Sequence, residues 1–416
     1  MKISHITGPT NLSGEVKISG SKNAALPILL VSILSQEPIE LHNIPLLRDI
    51  LNAIKILIKL GVKIEINKKI YLDTKKIEIC TIPKKITKTI RASIWILGPL
   101  LARFGYAKIS FPGGCKIGHR KIDLHIFGLT QLGANITICD NHITGSVIGK
   151  LKGTNIKLSK ISVGATITIM SAATLAIGNT IILNAACEPE IVDVANFLNS
   201  LGAKITGAGS RKIVIQGVTK LHGGTYKIIS DRIETGTFLI AAAISNGNII
   251  CHNTQPKMLT YLLKKLIQTG AKIKIGNDWI NLNMTNINPT GTDIITSPYP
   301  GFPTDMQAPF TLLNLISNGI SIVTETIFEN RFIHIPELKK MGAKAIIKNN
   351  SVICYGVKQL NSAKIIALDL RGSASLILAG CIADGDTILK NSDLITRGYE
   401  NFYKKLRKIG AKIKNK

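Results

Sequence analysis

The sequence is poor in aromatic residues, with 10 Phe, 8 Tyr and 2 Trp among 416 residues. Hydrophobic residues, mostly Ile, Leu, Val and Ala, make up 45% of the chain, and charged residues make up 19%. This composition excludes long disordered segments, because the chain can bury enough apolar surface to offset its conformational entropy. Aliphatic cores are typical of layered α/β proteins, and the length predicts two or three domains.

Acidic residues are also scarce, with 25 Asp and Glu against 52 Lys and Arg and a formal net charge of +27. Such a charge can indicate a nucleic-acid partner. However, 42 of the basic residues are Lys, scattered among Ile and Asn as in INKKIYLDTKKIEIC, residues 66–80, without a patch interleaved with aromatic residues. Codon drift in an A/T-rich genome produces the same mixture, so no nucleic-acid partner is expected.

The seven cysteines are odd in number, widely spaced and lack a CxxC pair, which argues against a disulfide framework and a zinc site. No cofactor is expected. The start, MKISHITGPTNLSGEV, has no secretory signal, so we predict a cytoplasmic protein. The longest uncharged run, residues 161–187, could cross a membrane. Because it contains many Thr, Ser and Asn residues and fits the repeat below, we interpret it as a buried helix and strand, and expect no membrane partner.

A repeat of about 70 residues runs through the chain. Six amphipathic helical stretches end in a Gly that precedes a small apolar residue and an alternating strand, at Gly61, Gly133, Gly202, Gly270, Gly342 and Gly410. Each Gly is predicted to be left-handed at a helix C-terminus. A polar start followed by an apolar helix recurs upstream, so each repeat is predicted as helix, strand, helix and three strands. Six repeats exceed one core, which favours two lobes of three with a boundary near Ser230.

The segment FPGGCKIGHRKIDLH, residues 111–125, predicts a reactive thiol at Cys115. Lys116, His119 and Arg120 follow it, and neighbouring cations favour the thiolate. The alternative, a buried cysteine acting as a small hydrophobe, is the interpretation preferred for the other six cysteines.

Polar residues at the predicted helix starts suggest anion binding. Lys22 and Asn23 begin the first helix copy, where a nearby anion would explain a cation. Asp305 in GFPTDMQ is open to two interpretations, an N-cap and a functional carboxylate, and the same choice applies to Asp231 and Glu234.

Arginine is used a quarter as often as lysine, so it should persist where a planar fork binds carboxylate or phosphate. The alternative, structural ion pairs with Asp or Glu, is preferred for Arg48, Arg211, Arg407 and Arg103.

Taken together, these segments resemble the enolpyruvyl transferase family over essentially the whole chain. The matching motifs occur in the family's order: SGSKNAALPI, RASIWILGPLLARFG, PGGC, EPEIVDVANFL, DRIETGTF, FPTDMQA, FENRFIHIPELKKMGA and RGYE. The resemblance implies an α/β fold, a two-lobed inside-out α/β barrel of six repeats, with lobes of residues 22–229 and of residues 1–21 with 230–416. It also implies that the N-terminal strand packs with the C-terminal lobe.

The activity implied by the resemblance is transfer of the enolpyruvyl group of phosphoenolpyruvate to the 3′-hydroxyl of UDP-N-acetylglucosamine, with release of phosphate, the first committed step of peptidoglycan precursor synthesis. A relative acting on shikimate 3-phosphate, a catalytically silent relative and a nucleic-acid-binding protein are the alternatives. The PGGC loop and the UDP-site segments favour the UDP-sugar enzyme over the shikimate enzyme.

The resemblance also implies roles for individual residues. Cys115 would be the general acid and Asp305 the base. Lys22, Arg120 and Arg397 would hold phosphate or carboxylate, with Arg331 and Arg371 beside them, and Asn23 would hydrogen-bond the intermediate. The implied UDP-sugar contacts are Arg91, Arg120, Lys121, Ile122, Asp123, Leu124, Lys160, Ile161, Ser162, Val163, Asp305 and Ile327. The chain departs from the family pattern at Lys121, Pro309, Gly372 and Thr396, where Pro, Gln, Ala and Asp are expected.

Overall fold

A computed structural model describes residues 2–77, 80–82, Thr87, 91–111, Gly113 and 121–415. The described residues divide into two compact units. We call the described residues of 20–113 and 121–229 the first unit, and those of 2–19 and 230–415 the second unit. Each unit has its own cluster of buried aliphatic residues.

Each repeat begins with a helix followed by a strand. The first helices are α1 (Lys22–Val31), α3 (Leu97–Phe104), α5 (Val163–Ala173), α7 (Arg232–Ile244), α9 (Gln307–Leu315) and α11 (Leu370–Ile382). The strands after them are β3 (Ile39–His42), β7 (Tyr106–Ser110), β11 (Asn179–Leu183), β15 (Asn248–His252), β19 (Ile320–Thr324) and β23 (Gly385–Lys390). The second helices are α2 (Arg48–Lys59), α4 (Asp123–Gln131), α6 (Pro189–Ser200), α8 (Thr260–Gln268), α10 (Ile335–Lys340) and α12 (Phe402–Lys408).

Three further strands complete each repeat. The first of them are β4 (Lys63–Ile66), β8 (Asn135–Cys139), β12 (Lys204–Thr206), β16 (Lys272–Ile275), β20 (Lys344–Lys348) and β24 (Lys412–Asn415). The second are β5 (Ile70–Asp73), β9 (His142–Ser146), β13 (Lys212–Gln216), β17 (Trp279–Asn283), β21 (Ser351–Tyr355) and, from the N-terminus, β1 (Ile3–Gly8). The third are β6 (Thr81–Ile82), β10 (Asn155–Lys157), β14 (Gly224–Lys227), β18 (Ile294–Ile295), β22 (Lys364–Ile366) and β2 (Gly14–Lys17).

The glycines that define the repeat adopt the predicted backbone conformation. All six have a positive φ, between 89° at Gly342 and 109° at Gly410. A side chain is strained in this left-handed region, which explains why Gly ends the second helix of every repeat. The predicted order of helices and strands is confirmed in five repeats, and in the sixth the N-terminal strands take the last two places.

The strands of the described residues form six four-stranded sheets with one pairing pattern. In each sheet an edge strand pairs in parallel with the strand after the first helix, and the other two pairings are antiparallel. That edge strand comes from another repeat of the same unit, as β14 does beside β3 and β2 beside β15. The three repeats of each unit are therefore closed into a ring by backbone hydrogen bonds.

Helices that are buried on every face lie inside these rings. Every residue of α7 and α9 is buried, whereas the second helix α2 is amphipathic and buries one face. A helix with no exposed face is a core helix rather than a surface helix. The predicted inside-out α/β architecture, with central helices and outer sheets, is confirmed for each unit.

The long uncharged run, residues 161–187, forms the buried helix α5 and the strand β11, as predicted. Among the described residues, no helix combines the length and apolar character that a membrane crossing requires.

Candidate functional site

The loop with the predicted reactive thiol, including Cys115, Lys116, His119 and Arg120, lies outside the described residues. The other six cysteines are free thiols. The interpretation that all six are buried is wrong for Cys139, which is exposed because it ends the edge strand β8. Cys80 is half-buried, and the remaining four are buried.

In the first unit, Lys22 is the first residue of α1 and pairs with an acidic side chain. Its Nζ lies 3.2 Å from Oδ2 of Asp49, in the first turn of α2, and the two side chains are 12% and 4% exposed. Asp49 therefore places one anionic side chain beside this lysine. Asn23, the next residue, is half-buried.

The two segments predicted to bind the UDP-sugar contain the N-termini of α4 and α5. Segment 121–124 runs into α4, with Leu124 buried and Lys121 and Asp123 exposed. Segment 160–163 runs into α5, where Ser162 is the N-cap and its Oγ accepts a hydrogen bond of 3.2 Å from the amide of Ala165. Free N–H groups and the helix dipole at such positions favour an anionic ligand.

A buried histidine that the sequence did not single out lies between these two helices. His125 of α4 has Nδ1 2.8 Å from Oγ1 of Thr168 of α5. Burial and the charge of Arg91 lower the pKa of His125 to about 4, so the imidazole is neutral at pH 7. A Cβ on Gly164 would come within 3.0 Å of the rings of His125 and Trp95, so only Gly fits at the start of α5. Arg91 begins the 3-10 helix that carries Trp95.

In the second unit, Asp305 bridges two arginines. Nη2 of Arg331 donates to its Oδ1 at 2.6 Å, and Nη2 of Arg371 donates to its Oδ2 at 2.7 Å. Asp305 lies in the short 3-10 helix Thr304–Met306, which has no side-chain N-cap hydrogen bond. The capping alternative for Asp305 is therefore wrong, whereas Asp231 does cap α7 by accepting from the amides of residues 233 and 234.

The two arginines are buried cations with unused donors. Their side chains are 3% and 4% exposed, and each guanidinium lies beside an aromatic ring, Phe328 for Arg331 and Tyr399 for Arg371. Burial opposes the charge of Arg371, but Asp305, Tyr399 and Asp231 together raise its pKa. Nε of Arg331 and Nη1 of Arg371 are buried without a hydrogen-bond partner among the described residues. A buried donor without a partner is costly, so these N–H groups suit an anionic ligand.

The remaining predicted residues of this unit lie on neighbouring segments. Arg397 ends the 3-10 helix Ser392–Arg397 and is half-buried. Ile327 is half-buried, and its amide donates to Oε1 of Glu325 at 2.7 Å. Glu325 is 2% exposed. Sequence reasoning missed it, because Glu325 in SIVTETIFEN belongs to no recognisable motif.

Comparisons with known proteins identify the family. The family profile described as EPSP synthase (3-phosphoshikimate 1-carboxyvinyltransferase) matches residues 6–406. A protein of Buchnera aphidicola subsp. Baizongia pistaciae named UDP-N-acetylglucosamine 1-carboxyvinyltransferase is 70% identical over 99% of both chains. One of the same name from Pectobacterium carotovorum is 57% identical over 98% of this chain and 97% of its own. This chain belongs to the enolpyruvyl transferase family.

Solved structures of this family share the fold. The enolpyruvyl transferase NikO from Streptomyces tendae superimposes with a TM-score of 0.90, at 21% identity, over 100% of this chain and 99% of its own. EPSP synthase from Acinetobacter baumannii does so with a TM-score of 0.78, at 17% identity, over 100% of both chains. The resemblance to enolpyruvyl transferases and the predicted fold class are thus confirmed.

The four residues that depart from the expected pattern of the enolpyruvyl transferases lie in different structural environments. Lys121 is exposed. Pro309 is the third residue of α9, where the missing N–H removes no hydrogen bond within the helix. A Cβ on Gly372 would lie 2.5 Å from Oδ2 of Asp369, the N-cap of α11, so Ala would require that carboxylate to shift. Thr396 Oγ1 donates to the carbonyl of Asp393 at 2.7 Å and is exposed.

Proposed function

We propose that the protein transfers the enolpyruvyl group of phosphoenolpyruvate to the 3′-hydroxyl of UDP-N-acetylglucosamine and releases phosphate, the first committed step of peptidoglycan precursor synthesis. The observation that carries the proposal is the 70% identity, over 99% of the chain, to a curated relative with the corresponding name. The buried, partly unpartnered guanidiniums of Arg331 and Arg371 support it, because phosphoenolpyruvate carries both a carboxylate and a phosphate.

In the proposed reaction, the Cys115 thiol protonates the methylene carbon of phosphoenolpyruvate, giving an oxocarbenium-like centre at C2. The 3′-hydroxyl oxygen attacks C2, and Asp305 accepts the hydroxyl proton. The tetrahedral intermediate then loses phosphate from C2 and a proton from the methyl group, which restores the double bond as an enol ether. Cys115 can also form a covalent adduct with phosphoenolpyruvate.

The binding roles follow the charges of the two units. In the first lobe, residues 22–229, Lys22 and Arg120 hold anionic groups and Asn23 hydrogen-bonds the intermediate. Arg91 with segments 120–124 and 160–163 holds the UDP-sugar. In the second lobe, residues 1–21 and 230–416, Asp305 and Ile327 face the UDP-sugar. There, Arg397, Arg331 and Arg371 neutralise phosphate and carboxylate.

The geometry at Asp305 bears on its role as a base. Two guanidiniums fix the orientation of both carboxylate oxygens, and the side chain is 24% exposed, so it can still be reached from solvent. A carboxylate so placed can receive a proton and pass it to water. We place the reaction in the cytoplasm, where free thiols such as Cys115 stay reduced.

The test is phosphate release from phosphoenolpyruvate with two acceptors. We expect release with UDP-N-acetylglucosamine, an enolpyruvyl product of matching mass, and none above background with shikimate 3-phosphate. A Cys115→Ser variant should release phosphate at least about 10²-fold more slowly, because it lacks the thiol acid. Turnover with shikimate 3-phosphate alone would assign the chain to the sister activity, and no turnover with either acceptor would refute the proposal.

A further inference from the structure

Glu325 is a buried carboxylate that joins two segments of the second unit. Its Oε2 accepts from Oγ1 of Thr304 at 2.8 Å, and its Oε1 accepts from Oγ1 of Thr296 at 2.9 Å. Oε1 also accepts from the amides of Ile327 at 2.7 Å and Phe328 at 3.1 Å. A carboxylate with four donors is fully satisfied and holds its partners in fixed positions.

Two partners of Glu325, Thr304 and Phe328, lie next to residues of the Asp305 bridge. Thr304 directly precedes Asp305 in their 3-10 helix. On the other segment, the Phe328 ring lies 5.3 Å from the guanidinium of Arg331, which in turn donates to Asp305. The contacts therefore form a closed circuit from Glu325 through Thr304 and Asp305 to Arg331, and back through Phe328.

We infer that Glu325 is a positioning residue, which acts through the Thr304 hydroxyl to fix the Asp305 carboxylate for proton transfer. The inference rests on the proposed function. Arg331 and Arg371 determine where the two Asp305 oxygens point, but the backbone of a three-residue 3-10 helix is weakly restrained by its own hydrogen bonds. The hydrogen bond from Thr304 to Glu325 connects that backbone to the segment that carries Arg331. The Asp305 carboxylate and the Arg331 guanidinium therefore keep a fixed relative position.

The test removes single donors, because replacing Glu325 itself would leave four donors without an acceptor. Thr304→Val removes the contact on the Asp305 side. Thr296→Val is the matched control, since its hydroxyl binds the other oxygen of the same carboxylate and also accepts from the amide of Thr326 at 2.9 Å. Thr304→Ser keeps the hydroxyl and should rescue activity.

We expect Thr304→Val to lower kcat about 10-fold with KM for phosphoenolpyruvate within about twofold, and Thr304→Ser and Thr296→Val to stay within about threefold in kcat. The melting temperatures should show the opposite order to the losses in kcat. Thr296→Val should melt at a lower temperature than Thr304→Val, because Thr296→Val loses more buried hydrogen bonds. A merely structural carboxylate would make activity follow melting temperature.

A second measurement shows whether the effect passes through Asp305. In an Asp305→Asn background, Thr304→Val should lower the residual kcat by less than about twofold, since residues acting as a unit are non-additive. Equal kcat for Thr304→Val and Thr296→Val, or a tenfold loss that persists in the Asn background, would overturn the inference. Wild-type turnover separates this failure from that of the proposed function. If the wild-type protein shows no turnover, both the proposed function and the role of Glu325 are refuted. If it shows turnover, the variants test the role of Glu325 alone.

Discussion

The Asp305 bridge makes a quantitative prediction about stability. Asp305→Ala removes the carboxylate that contacts the guanidiniums of Arg331 and Arg371, whose side chains are 3% and 4% exposed. Both buried cations then lack this acidic partner. Breaking a buried pair costs about 3–5 kcal/mol. Because Asp305 itself is 24% exposed, water can replace part of the lost contact, and we expect a loss near the lower end, about 3 kcal/mol.

For a unit of this size each kcal/mol lowers the melting temperature by about 2–4 °C, so the Ala variant should melt about 6–12 °C below wild type. Asp305→Asn keeps one acceptor but turns an NH2 group toward the other guanidinium, so we expect a loss of about 2 kcal/mol. Both variants should also lose about 10²-fold or more in kcat, measured well below the melting temperature.

Thermal melts and urea titrations followed by circular dichroism measure the stability change. Asp278→Asn is the matched control, because Asp278 is an exposed acid of the same unit and should stay within about 0.5 kcal/mol. Arg331→Met combined with Asp305→Ala should cost less than the sum of the single changes, because removing both charges leaves one unpaired cation rather than two. Melting temperatures of Asp305→Ala and Asp305→Asn equal to that of Asp278→Asn would show that the bridge contributes no stability.

Three further predictions concern other buried groups. Burial raises the pKa of Glu234 to about 7 despite Lys405. The folded state therefore binds more protons than the unfolded state between about pH 4.5 and 7, and the wild-type urea midpoint should fall across this window relative to that of Glu234→Gln. Burial raises the pKa of Cys381 to about 12, so iodoacetamide at pH 7.5 should label exposed Cys139 and leave Cys381 unlabelled, as peptide mapping would show; label on Cys381 would contradict its burial. Arg103→Lys should lower stability by about 2 kcal/mol in urea titrations, because one ammonium cannot reproduce a guanidinium that donates to three carbonyls; a change under 0.5 kcal/mol would contradict this.

The repeat was predictable because its signals are local. A Gly after each amphipathic helix and the alternating strand behind it depend only on neighbouring residues, and the structure has all six glycines at positive φ. The ring closure within each unit depends on pairing between distant strands, as between β2 and β15. Periodicity can predict that those strands exist, but it does not determine their partners.

The candidate site was predictable only in part, because its central contacts join residues far apart in sequence. Asp305 lies 26 residues from Arg331 and 66 from Arg371, and nothing in the sequence pairs them. The resemblance supplied these residues as separate ligands of substrate, and the structure brings them together on one carboxylate. Glu325 and His125 were missed because their importance lies in burial and in partners, which a single sequence does not display.

The arginines show what a composition bias can and cannot determine. The bias toward lysine predicts that the remaining arginines occupy positions that need a planar fork, and Arg103 does, donating to the carbonyls of Ile33, Ser35 and Thr74. The expectation that Arg103, Arg211 and Arg407 pair with Asp or Glu is wrong for the described residues, where their hydrogen bonds go to backbone carbonyls. Carbonyls are invisible in a sequence because every residue has one. The composition bias therefore indicates that the remaining arginines need a guanidinium. Only the structure distinguishes guanidiniums that bind backbone carbonyls from those of Arg331 and Arg371, which bind a carboxylate and retain donors for a ligand.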